Sequence, residues 1–135
     1  MEYRNVSSVC TYCGVGCGLF LEVLDGQVTG TYPDPSHPVS EGHLCVKGWN
    51  AAGFVHHADR LKTPLIRKGD ALVEATWDDA LDVTAKALTR IRDASGPDAL
   101  GFLCSAKATN EANYLFQKLA RAIIGTNNVD HCARL

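Results

Sequence analysis

"CTYCGVGCGLFLEVLDGQVTGTY", Cys10 to Tyr32, places three cysteines within eight residues and then runs directly into a strand pattern. Leu19, Leu21 and Val23 alternate with Phe20 and Glu22, as residues on the two faces of a strand do. Asp25-Gly26 follows, a dipeptide suited to a type I′ turn because both central residues need positive φ, and "QVTGTY" supplies the returning strand. The stretch predicts a β-hairpin directly after a Gly- and Cys-rich loop.

A fourth cysteine lies downstream, past a loop containing Pro33, Pro35 and Pro38, in "EGHLCVKG". Cys10, Cys13, Cys17 and Cys45 together read C-x2-C-x3-C-x27-C. Close spacing lets one loop wrap three corners of a cubane 4Fe-4S cluster, and a distant cysteine closes the fourth. Structural zinc is the competing reading, although its usual signature is two C-x2-C knuckles and the second knuckle is missing here. Unligated cysteines are the third. Gly14, Gly16 and Gly18 are expected to let the loop turn tightly and to present N–H groups to the cluster sulfurs. Lys47, two residues past the fourth cysteine, reads by default as a solvated lysine. Beside four thiolates its charge has a further role, offsetting the anionic cluster.

With 135 residues, a formal net charge of -2 and 46% apolar residues, the chain has the composition of a soluble globular domain. Acidic and basic residues are evenly mixed, which leaves no basic stripe for nucleic acid and no polybasic anchor for a lipid surface. No run is long enough for a membrane span, and no secretory signal segment opens the sequence, so a cytoplasmic location is expected. In a reducing compartment, six cysteines point to metal ligation rather than to three disulfides.

Residues 1–60 are read as a small cluster domain that needs a staple, because so short a lobe buries little apolar surface. Residues 61–135 change character and are read as the beginning of an α/β domain. Thr76 followed by Asp79 resembles a capping box, Leu81, Ala85, Leu88 and Ile91 share a helical face, and Gly96-Pro97 stops that helix. "ALGFLC", Ala99 to Cys104, reads as a strand buried on both faces of a parallel sheet. A second helix is predicted from Asn110 to Ile124, with Leu115, Leu119, Ala122 and Ile123 as its apolar stripe and Gly125 just past its end. "NNVDH" is the next strand, which makes a βαβ unit. Ligands bind beyond the carboxyl ends of such strands, so the Ser105 to Thr109 loop and the "CARL" loop should share one edge.

The other candidates are weaker. Cys104 reads as a small core residue, His131 and Cys132 as terminal-loop residues without a visible partner, and His56-His57 as capping or solvent-facing.

"CTYCGVGCG", "EGHLCVKGWN", "DRLKTPLIR", "ATWDDAL" and "TNEANYLFQKLARAIIGTNNVDHCARL", in that order, resemble the amino-terminal part of a formate dehydrogenase catalytic subunit of the molybdopterin oxidoreductase family. The likeness covers essentially the whole chain. It implies that Cys10, Cys13, Cys17 and Cys45 hold a 4Fe-4S cluster and that Lys47 sits between cluster and pterin as the electron relay. It implies reversible oxidation of formate to CO2 at a molybdenum or tungsten bis(molybdopterin guanine dinucleotide) centre, with electrons passing through the cluster to a redox partner subunit. In the family, the residue after the counterpart of "CARL" is the cysteine or selenocysteine metal ligand, followed by histidine. The expectation for this chain is therefore an ending at an unrecoded UGA codon, with a naturally split gene and a deliberately expressed fragment as competitors, and a 135-residue polypeptide that is inactive alone.

Two other functions compete. One is an autonomous 4Fe-4S electron-transfer or assembly module; the other keeps the pterin family but changes the substrate, as in nitrate reductase. The βαβ portion weighs against the module, since a simple carrier has no need of it and leaving it uncovered is costly. Two helices and two or three strands cannot cover both faces of a parallel sheet, so the isolated polypeptide should aggregate or behave as a molten species. Calorimetry of the pure 135-residue chain checks this, and a cooperative melt contradicts it.

Overall fold

The computed structural model describes residues 1–132 and has a mixed α/β architecture with two compact units. Unit 1 comprises Met1–Arg60, Cys104–Tyr114 and the chain from His131; unit 2 comprises Leu61–Leu103 and Leu115–Asp130.

Unit 1 is built on a three-stranded antiparallel sheet of β1 (Tyr3–Val9), β2 (Gly18–Leu24) and β3 (Gln27–Pro33), in that order. Asp25 and Gly26 join β2 to β3 with φ of 47° and 81°, both positive as the type I′ turn requires. Leu19 and Val23 are buried and Leu21 is half-buried, while Phe20 stacks on Tyr32 directly across the ladder at a centroid distance of 5.2 Å. A register shift between Glu22 and Val23 marks a bulge.

The alternation in β2 announces that strand, but nothing comparable announces β1. Its residues are almost all exposed, and it is held by seven register pairs along β2 rather than by a buried face. The short helix α1 (Val46–Trp49) is tied to β3 by buried Thr31, whose hydroxyl lies 2.9 Å from the carbonyl oxygens of both Gly48 and Trp49.

In unit 2, β4 (Leu65–Lys68) and β5 (Ala71–Glu74) form a hairpin turning at Gly69, φ 62°. Lys68-Gly69-Asp70 between two short apolar runs was the available signal for it. Helix α2 (Trp77–Ser95) begins at Thr76, whose Oγ1 accepts from the Asp79 N–H at 3.1 Å and donates to the Asp79 carboxylate at 2.7 Å. Asp79 is too short to reach back to the cap backbone as Glu does, so it takes the cap hydroxyl instead. The helix stops at Gly96, φ 84°, with Pro97 opening a single 3-10 turn.

Strand β6 (Phe102–Ser105), helix α3 (Asn110–Lys118) and strand β7 (Val129–Cys132) form the expected strand, helix, strand unit. The Phe102 N–H donates to the Asn128 carbonyl and Ser105 lies beside Cys132, so numbering rises together along both strands and they run parallel.

Two expectations need correction. Phe102 is buried but Leu103 is 81% exposed, so β6 is covered on one face only; a continuous apolar run records what both faces are made of, not which is covered. The apolar stripe of the second helix is also displaced. Leu115, Ala122 and Ile123 are exposed, and the residues packed against Phe102 are Ala120 and Ile124, with Leu119 half-buried. For Ala122 and Ile123 the cause is a π-helical stretch at Leu119–Ile124, whose wider turn adds a residue and rotates the face away from the 3.6-residue period; Leu115 precedes that stretch, in α3. Gly125, φ 91°, closes it by donating to the Ala120 carbonyl at 2.9 Å.

Leu19 is 1% exposed and central to the core of unit 1. Leu19→Ala should cost that lobe about 2–5 kcal/mol, read as faster amide hydrogen exchange across the three strands in a full-length subunit.

Candidate metal centre

The β1–β2 ladder ends at Val9 opposite Gly18. One further bond, from the Cys10 N–H to the Cys17 carbonyl at 2.8 Å, closes the connection at its base. The three clustered cysteines thus occupy the loop of a hairpin. Cys10 is buried against Leu19 and Ala51, with Tyr12, Cys17 and Leu44 around them, while Cys13 is half-buried. Gly16 turns the loop with φ 68°.

The other two glycines serve different ends. The Gly18 N–H donates to Ser40 Oγ at 3.1 Å and its carbonyl accepts from the Asp34 N–H at 3.2 Å. Its N–H is therefore spent on the proline loop, contrary to the expectation that it faces a cluster. The His37 ring lies where a Cβ on Gly18 would stand. A Cβ on Gly14 would stand 2.8 Å from Asn110 Oδ1.

The proline loop delivers Cys45. Ser36 donates both its N–H and its hydroxyl to Asp34 Oδ1, holding that carboxyl below the usual range, and the Gly42 N–H closes onto the Asp34 carbonyl. Cys45 then stands immediately before α1, exposed, and the N–H groups of Gly48 and Lys47, with the Lys47 charge, pull its thiol down. Burial pushes the Cys17 thiol up, and the neighbouring Cys10, Cys13 and Cys45 push it further. Cys10, Cys13 and Cys45 thus each lie near enough to Cys17 to act on its charge. Each of the six thiols is free. Among the described residues, no three His, Cys, Asp or Glu side chains converge on a point suited to a single ion. A cubane presents four separate iron corners and takes thiolates spread around it.

His56 is exposed, as expected, and its Nε2 accepts from the Val28 N–H at the edge of β3, 2.9 Å away. His57 Nδ1 accepts from the Asp59 N–H. Cys104 is half-buried, and the Ser105 and Cys132 ends of β6 and β7 meet, with Oγ to Sγ 3.5 Å. Ala133 to Leu135, most of "CARL", lie outside the described residues. Ser40, Thr31 and Asn110 have no signal in spacing or composition, because each acts on backbone atoms distant in sequence.

Comparison with known proteins bears directly on this centre. The model of the molybdopterin oxidoreductase Fe4S4 domain matches residues 3–57 and the molybdopterin oxidoreductase model matches residues 60–135. The chain belongs to the molybdopterin oxidoreductases. Its place in that family fits a 4Fe-4S cluster and a molybdopterin cofactor.

It is 53% identical over 135 residues to the alpha subunit of F420-dependent formate dehydrogenase 1 of Methanococcus maripaludis and 50% identical to its counterpart in Methanocaldococcus jannaschii. Each match covers 100% of this chain and 19% of the relative, so the chain spans about a fifth of their length. A putative formate dehydrogenase of Staphylococcus aureus is 46% identical over 131 residues, 97% of this chain and 13% of the relative. Among solved structures, acetylene hydratase from Pelobacter acetylenicus aligns with TM-score 0.71 and 27% identity, over 93% of this chain and 18% of that one. A hydratase and a dehydrogenase on one molybdopterin oxidoreductase scaffold show that the fold alone does not name the substrate.

The Ser105 hydroxyl, then the Ala106 N–H, hold the Cys132 thiol below its usual range, with a smaller contribution from the Lys107 charge. A lowered value means thiolate appears at lower pH. Alkylation of Cys132 by iodoacetamide, followed by peptide mass mapping against pH, should inflect earlier than for an ordinary thiol, and Ser105→Ala should move the inflection upward.

Proposed function

We propose that this chain is the amino-terminal segment of a formate dehydrogenase catalytic subunit, in which Cys10, Cys13, Cys17 and Cys45 hold a 4Fe-4S cluster and Lys47 is the electron relay. The observation that carries the reading is identity of 48–53% along essentially the whole chain to three alpha subunits named formate dehydrogenases. Residues 1–60 form the cluster domain and residues 61–135 open the pterin-binding domain. Formate and CO2 are the substrate pair. The acceptor is a separate redox subunit; that two of the relatives are named F420-dependent supports F420 as the onward carrier. We place the enzyme in the cytoplasm; no helix among the described residues is long and apolar enough to cross a membrane.

When bound, the molybdenum or tungsten bis-pterin, with a selenocysteine or cysteine ligand, supplies the two-electron oxidation of formate. This chain's residues prepare the exit for those electrons. Cys10, Cys13 and Cys17 offer three thiolates from a loop closed at its base, and Cys45 offers the fourth from a separate segment. The backbone N–H groups beside Cys45 favour its thiolate before any metal arrives. The Lys47 ammonium adds fixed positive charge at the same corner, which stabilises an added electron on an anionic centre.

The test is a full-length subunit purified anaerobically. Visible absorption with about four iron and four sulfide per subunit is expected, and a colourless zinc protein sinks the assignment. Cys45→Ala should lose the cluster signal. Lys47→Met should keep it but lower its midpoint potential and slow its reduction by formate.

A further inference from the structure

The loop carrying three of the four cysteines is held from outside the segment that contains it. Asn110 Nδ2 donates to the Gly14 carbonyl at 2.7 Å, a contact within unit 1 spanning 96 residues of sequence. Gly14 directly follows Cys13 and lies between Cys13 and Cys17. Its φ is not in the left-handed region, so no turn demands glycine there. A Cβ there would stand 2.8 Å from Asn110 Oδ1, so a side chain at Gly14 fits only if the Asn110 amide moves off the position from which it donates.

Asn110 is also presented on a stiff mount. The Asn113 amide exchanges two hydrogen bonds with the Ser105 backbone, 3.2 and 2.9 Å, and the Lys107 N–H donates to Ser105 Oγ. Thr109 Oγ1 accepts from the Ala112 N–H and so supplies the helix cap, which leaves the Asn110 side chain without a capping duty.

Resting on the cluster assignment above, we propose that Asn110 is a positioning residue for the 4Fe-4S centre: by anchoring the Gly14 carbonyl it fixes the peptide plane between Cys13 and Cys17. A trans peptide is planar with its C=O and N–H opposed, so holding the Gly14 carbonyl also sets the direction of the Val15 N–H. Backbone dipoles near cluster sulfurs tune the potential and the hold on iron. The crossover between β6 and α3, which belongs to the α/β portion of the sequence, thereby reaches back to govern the metal loop.

Four variants of the full-length holoenzyme test this: Asn110→Ala, Gly14→Ala, the double variant, and Thr109→Ala as a control that weakens the helix cap but leaves the anchor. Redox titration followed by EPR and the rate of iron loss to a chelator are the readouts. Asn110→Ala should shift the midpoint potential negative and raise iron loss about tenfold. Gly14→Ala should do the same by displacing the amide, yet add little in the Asn110→Ala background. Thr109→Ala should leave the potential in place. A potential and iron-loss rate unchanged in Asn110→Ala, with the cluster intact, overturns the inference alone. An equal shift in Thr109→Ala also overturns it, making the effect one of helix stability. Wild-type protein without any cluster overturns the underlying assignment instead.

Discussion

Closure of the Cys10 to Cys17 loop at the base of a two-strand ladder is the constraint from which the rest of unit 1 follows. Three soft, mutually repelling sulfurs cannot be gathered by apolar burial, and only one of the three, Cys10, is fully buried. Backbone pairing does the gathering: seven register pairs between β1 and β2, then the Cys10 N–H on the Cys17 carbonyl. This explains why β1 exists although it buries almost nothing. It supplies hydrogen-bond partners to β2 and fixes where the loop must start.

What the sequence made legible was whatever repeats locally. The Asp25-Gly26 turn, the alternation at Leu19 and Val23, the Thr76 cap and the Gly96-Pro97 stop all act within a few residues, and each is found where local chemistry puts it. Clustered Cys10, Cys13 and Cys17 belong to the same class, Cys45 lies far downstream of them, and the family match spans all four. Strand β1 and the β4–β5 hairpin carry only weak patterns. Thr31, Ser40 and Asn110 are illegible for a stronger reason: a polar side chain that satisfies distant backbone atoms leaves no periodic trace.

The errors in unit 2 share one physical origin. Periodicity reports composition around an element, whereas burial depends on what is stacked against it. Leu103 has the apolarity of a covered strand and lies open; Ile123 has the apolarity of a core helix position and is turned outward by a π-helical stretch. The core that does form is small, Phe102, Ala120 and Ile124 with half-buried neighbours, and Phe102 meets Phe116 edge-on at 5.4 Å.

Thr31 sets the smallest piece that could be moved to another scaffold. The three-cysteine loop looks portable, an eight-residue insert for any tight antiparallel pair. The fourth cysteine is not on that loop; it precedes a four-residue helix held on β3 by one buried hydroxyl. A graft that kept the loop and left out β3 would carry three sulfurs and nowhere to dock the other. The transferable unit therefore runs from Tyr3 through Trp49, sheet included, and the proposed metal-binding motif is better regarded as a small fold than as a string of cysteines.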